Sequence, residues 1–116
     1  MSSNFINLLH ETITILNEHG KSLEDIEWIG SKDLRIPMVQ FLKLADVEYN
    51  NGYGGEEVYM GLLVVGSDWW LERHTYDGSE WWEFKQLPTK PNKASKVLGI
   101  VESQDDDVNY DGLHVI

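Results

Sequence analysis

With 116 residues, 41% of them hydrophobic and five of them tryptophan, the chain carries enough apolar surface to fold as one domain around a single core, which excludes intrinsic disorder. Cysteine is absent, so disulfides, thiolate metal sites and cysteine nucleophiles are excluded as well. Nine Lys and Arg against twenty Asp and Glu give a formal net charge of −11, which repels phosphate backbones and anionic lipid surfaces and argues against direct binding to nucleic acid or membrane.

Phe5, Ile6, Leu8, Leu9, Ile13 and Leu16 recur at helical spacing, with Ser2 or Ser3 as N-cap and Gly20 as terminator, and predict a first helix from about Ser3 to His19. The same stretch lacks the basic segment and long apolar run of a signal peptide, so the cytoplasm is the expected compartment. His10 and His19 have no second ligand nearby and read as ordinary surface residues. Asp25 to Ser31 alternates in the manner of a short strand. Pro37 opens a short second helix, with Phe41, Leu42, Leu44 and Ala45 as its apolar face and an end near Asp46. Tyr49 to Gly55, with three glycines and two asparagines, reads as a loop.

From Tyr59 onward the pattern is a meander. Leu62 to Val65 is a buried central strand, Gly66-Ser67-Asp68 a turn, and Trp69 to Thr75 and Glu80 to Gln86 the arms of a hairpin. Asp77-Gly78 between them suits a type I′ turn. Pro88 and Pro91, with Lys90, Lys93 and Lys96, describe an extended connector, and Val97 to Val101 an added edge strand. The whole reads as α+β: two helices packed on an antiparallel meander over residues 1–101, then an acidic segment, 102–116, that is mobile or packs back through Leu113, Val115 and Ile116.

A two-residue turn at Asp77-Gly78 pairs His74 with Trp81, Arg73 with Trp82, Glu72 with Glu83, Leu71 with Phe84 and Trp70 with Lys85. Trp69, Leu71, Trp82 and Phe84 then form a core face, and Trp70, Glu72, His74, Trp81, Glu83 and Lys85 the opposite one. Directly opposed glutamates repel, so Glu72 and Glu83 ask for a neutralising partner. Three sources are open: Lys85 or Arg73 within the chain, a divalent cation shared with His74, or a basic side chain of another protein. Trp70 and Trp81 beside them suit cation–π contact with Arg or Lys, unless helix 1 or the C-terminal segment covers them.

Paired carboxylates also raise glycoside hydrolysis, but directly opposed side chains of one hairpin stand too close for separate acid and base roles. A nucleophile elbow, a phosphate-binding Gly-Lys-Ser/Thr loop and a His-Glu-x-x-His helix are all absent from the sequence, and a non-enzymatic protein without cofactor is expected.

Gly52-Tyr53-Gly54, Glu57-Val58 and LLVVGSDWWLERHTYDGSEWWEFKQLPTKP from Leu62 to Pro91 resemble a group of small acidic proteins of phages and mobile elements in Gram-positive bacteria, with WWLER and YDGSEWWEFK as the distinctive segments. The resemblance assigns no functional residue. It implies a context in which small acidic proteins inhibit host defence, anti-CRISPR proteins acting on an RNA-guided nuclease among them. Such nucleases hold nucleic acid in basic channels and read the PAM with arginines, surfaces for which an acidic phosphate mimic competes. From Ala45 to Glu72 the chain has six acids (Asp46, Glu48, Glu56, Glu57, Asp68 and Glu72) and no Lys or Arg. The candidate partner-binding residues are therefore Trp70, Glu72, His74, Trp81 and Glu83, with Asp46, Glu48, Glu56, Glu57 and Asp68. The alternatives are a metal-binding or hydrolytic domain using Glu72, His74 and Glu83, and a phage accessory protein with homotypic contacts only.

Overall fold

The structure is a computed structural model that describes residues 5–52 and 54–100, together with the backbone of His114 and Val115. The chain opens with a short strand, β1 (Phe5–Asn7), followed by α1 (Leu8–Glu18). The first helix thus begins later than Ser3. Asn7 caps it by accepting the His10 N–H at 2.9 Å, and Phe5, Ile6 and Asn7 pair antiparallel with β4 (Glu48–Asn50) instead of continuing the helix. At the other end the N–H of Lys21 reaches Leu16 O and that of Gly20 reaches Asn17 O, the paired bonds of a Schellman motif.

A capping box at Ser22 and Asp25 winds Leu23–Asp25 into one 3-10 turn, so the strand expected from Asp25 is confined to β2 (Trp28–Gly30). β3 (Arg35–Ile36) folds back on β2, and Pro37 then leads into α2 (Met38–Ala45), which ends at Asp46. The expected loop starts only at Asn51, because Tyr49 is a buried residue of β4. β5 (Leu63–Val65), β6 (Trp69–Tyr76) and β7 (Ser79–Gln86) complete an antiparallel five-stranded sheet in the order β3-β2-β5-β6-β7. β8 (Val97–Gly99) is a strand as expected but does not extend this sheet. It pairs with β9 (His114–Val115) in a separate two-stranded sheet. The remainder of the acidic C-terminal segment lies outside the described residues.

This is an α+β fold with one core. Ile29, Val64, Trp69, Leu71 and Trp82 of the sheet pack against Leu8 and Leu16 of α1 and Phe41 and Ala45 of α2, so both helices lie on the same face. Gly66 is required at the turn into β6, since a Cβ there would lie 2.1 Å from the Trp69 indole. The hairpin tip has Asp77 at φ 50° and Gly78 at φ 86°, both positive as a type I′ turn demands.

Candidate functional site

The hairpin register is the expected one, with Trp70 opposite Lys85, Glu72 opposite Glu83 and His74 opposite Trp81. β6 and β7 pair over eight residues each, which gives four rows of side chains on each face. On the outer face both strands read Trp-x-Glu-x followed by a nitrogen-bearing side chain: Trp70, Glu72, His74 on β6 and Trp81, Glu83, Lys85 on β7. Because the strands run antiparallel, the six side chains have an approximate local two-fold arrangement about the glutamate pair. The same face continues through Leu63 and Val65 of β5 to Trp28 of β2, all partly exposed. Helix 1 packs on the opposite side and meets this face only at the β7 rim, beside Trp81.

Each tryptophan fixes the glutamate two residues along its own strand. The Trp70 Nε1–H donates to Glu72 Oε1 at 2.7 Å, and the Trp81 Nε1–H to Glu83 Oε2 at 3.0 Å. His74 Nε2 donates to Glu72 Oε2 at 2.7 Å and stands 3.9 Å from Glu83 Oε1, and Lys85 Nζ approaches Glu83 Oε1 to 3.6 Å. These contacts relieve the cross-strand repulsion from within the chain. Arg73 takes no part in this, since it lies on the inner face. The Trp70 hydrogen bond, seconded by His74, holds the Glu72 carboxyl below the usual glutamate range. The Trp81 hydrogen bond, with the charges of His74 and Lys85, does the same for Glu83. Both carboxylates stay ionised and oriented, with side chains 33% and 38% exposed. A carboxylate accepts about four hydrogen bonds, so acceptor sites remain on each.

The inner face holds a polar cluster that the sequence reading did not single out. The Arg73 side chain is fully buried, its guanidinium 4.9 Å from the Trp82 ring centre and 5.5 Å from that of Tyr49. It donates to Glu80 Oε1 at 2.8 Å, to Tyr49 Oη at 2.9 Å and, more distantly, to Glu11. Glu80, 2% exposed, also accepts the backbone N–H groups of Glu57 and Val58. Tyr49 in turn donates to Glu11, and the Trp82 Nε1–H donates to Thr12 Oγ1, which donates to Leu8 O. Burial, followed by the bond to Glu11, pushes the Tyr49 hydroxyl well above its ordinary range. Burial alone would lower the Arg73 pKa, but its bonds to Tyr49 and Glu80 and the Glu11 charge outweigh this and raise it. The signal was present in the alternation, which puts Arg73 on the face of Leu71 and Glu80 on that of Trp82.

Of the candidate residues, Trp70, Glu72, His74, Trp81 and Glu83 come together on one face. Asp46 caps the end of α2 and accepts from Asn7 Nδ2 at 3.0 Å. Glu48 is exposed on β4, Glu56 and Glu57 in the segment before β5, and Asp68 in the turn before β6. These five are spread over four separate segments. Among the described residues no group of three or more His, Asp or Glu side chains is arranged to hold a metal ion, and no helix is long and apolar enough to cross a membrane. Set against known proteins, the chain matches no family model, no curated protein and no solved structure.

Proposed function

We propose that the chain is a non-enzymatic, cytoplasmic inhibitor from a phage or mobile element that offers the outer face of β6 and β7 to a basic surface of a host nucleic-acid enzyme, in its specific form an anti-CRISPR protein acting on an RNA-guided nuclease. The observation that carries the reading is the pair of Trp–Glu units, two ionised carboxylates held facing one another on a partly exposed aromatic surface. An arginine approaching this surface meets a carboxylate with free acceptor sites and an indole face beside it, which favours charge-assisted hydrogen bonding and cation–π contact together. The net charge of −11 steers such a partner toward the chain, and Asp46, Glu48, Glu56, Glu57 and Asp68 add phosphate-like charge. A non-catalytic role is supported by the inner carboxylates, whose hydrogen bonds go to Arg73, Tyr49 and backbone amides.

The test is DNA cleavage by a purified, guide-loaded nuclease of this class with the protein added at low and at high salt. Inhibition is expected to weaken steeply with salt and to be lost on combined Glu72→Lys and Glu83→Lys substitution. Full inhibition by the charge-reversed protein would overturn the outer-face reading, and absence of inhibition by the unaltered protein would overturn the nuclease assignment.

A further inference from the structure

The hairpin register fixes which backbone groups of β7 face away from β6. In an antiparallel pair alternate residues turn N–H and C=O toward the partner strand, and the residues between turn them outward. The Leu87 N–H bonds Asp68 O at 2.8 Å across the hairpin, whereas the Glu80 N–H points the other way, to Asn51 O at 2.8 Å. Trp82, Phe84 and Gln86 share the parity of Glu80, and among the described residues β7 is the last strand of its sheet, so their backbone groups line its outer edge. Among the described residues no hydrogen bond reaches the outward groups of Trp82 or Phe84. Trp82 is nevertheless only 3% exposed. Buried backbone groups without partners are rare in folded proteins.

A cavity of 310 Å³ opens beside this edge, lined by Ile6, Thr14, Ile15, Glu18, Trp81 and Trp82 among others. Trp81 and Trp82 point to opposite faces of the sheet, so a cavity touching both lies at the strand's rim. The two isoleucines and the indoles form its apolar walls, and His10 and Thr14 add to the lining. Glu18 is exposed at its margin, and Glu11 lines it as well.

We propose that the β7 edge and this cavity form a strand-addition site for an extended basic peptide segment of a partner protein. The peptide backbone pairs with Trp82 and Phe84, and one large apolar side chain enters the cavity. Flanking Lys or Arg side chains meet the exposed Glu18 on one side and Glu83 on the other. Main-chain pairing supplies affinity in this mode, and the pocket and charges supply selectivity. The basic character follows from the acidic rim and from the net charge of −11, which also sets two copies of the chain against each other. This site borders the arginine-receiving face and shares Trp81 and Glu83 with it, but the main-chain pairing with Trp82 and Phe84 is independent of that face.

The probe is the synthetic peptide acetyl-Lys-Val-Lys-Ile-Lys-Val-Lys-amide, titrated into the full-length isotopically labelled protein. The amide signals of Trp82 and Phe84 are expected to shift and to become protected from hydrogen exchange. N-methylation of the peptide along one edge, or Thr14→Arg at the exposed mouth of the cavity, is expected to weaken binding about tenfold or more, as loss of main-chain hydrogen bonds requires. An unchanged affinity of the N-methylated peptide, or equal binding of the version with Glu in place of Lys, would overturn the proposal. So would protection of the two amides in the free monomer, which would give the edge to the chain's own segment. Protection that grows with protein concentration would give it to a second copy and count equally against a peptide partner.

Discussion

The two faces of the β6–β7 hairpin are built from the same kinds of residue, aromatic rings and charges, and use them in opposite ways. On the inner face Arg73 is enclosed by Tyr49 and Trp82, and its charge is met by Glu80 and Glu11. Its neighbours are committed to one another and to the backbone. On the outer face each glutamate is fixed by one indole and assisted by His74 or Lys85, yet remains about a third exposed with acceptor sites to spare. Burial turns the first set into part of the scaffold. Partial exposure leaves the second set ordered but available, which is the condition for recognising a partner at low entropic cost.

Breaking the inner set has the largest expected effect. Arg73→Met leaves the buried Glu80 without its cation, and Glu80→Gln removes the closer of the two carboxylates that meet Arg73. Removing one partner of a buried pair costs about 3–5 kcal/mol, so each variant should unfold at much lower urea than the unaltered chain. A loss below about 1 kcal/mol in either would mean that the cluster is not integral to the core. Thr12→Val is milder. It removes the acceptor of the Trp82 indole, at an expected cost of about 1–3 kcal/mol by the same measurement.

Changing pH separates the faces without mutation. The raised Tyr49 value makes its contribution to stability complete below the ordinary tyrosine range of about 10, and lost as pH rises beyond it, because the unfolded chain ionises first. The depressed Glu72 and Glu83 values act at the other end. Their contribution is present above the ordinary glutamate value of about 4.3 and is lost as pH falls through the lower folded values. Thermal unfolding across this range should lose its alkaline limb in Tyr49→Phe and keep its acid limb. An unaltered alkaline limb in that variant would remove Tyr49 as its source.

Much of this was legible in the sequence because period-two alternation and an Asp-Gly turn determine a hairpin locally. Register and faces followed from Asp77-Gly78 alone. What escaped needed information from distant segments. Phe5 to Asn7 satisfies helical spacing as well as any strand, and only pairing with Glu48 to Asn50 decides between them. Tyr49 stands beside a glycine-rich stretch, and its burial depends on α1 and Arg73. Arg73 and Glu80 were hidden by the ordinary expectation that charges stay outside, although their parity placed them inward. The indole-to-carboxylate bonds of Trp70 and Trp81 were likewise not foreseen, since the two-residue spacing states only that the side chains share a face.

The smallest expected effect concerns those bonds. Trp70→Phe and Trp81→Phe keep an aromatic ring but remove the N–H, and should let the Glu72 and Glu83 carboxyls, respectively, titrate closer to the ordinary glutamate value when followed by carboxyl NMR. Unmoved titration curves would show that the indoles do not set the charge of this face.

The most direct measurement of the central claim is a titration of the labelled protein with a short arginine peptide, followed through the indole N–H signals. Trp70 and Trp81 are expected to shift together while the buried Trp69 and Trp82 stay in place, and Glu72→Gln with Glu83→Gln should abolish the response. Shifts that persist in that double variant, or that appear first at Trp69 and Trp82, would contradict an outer face built to receive a basic partner.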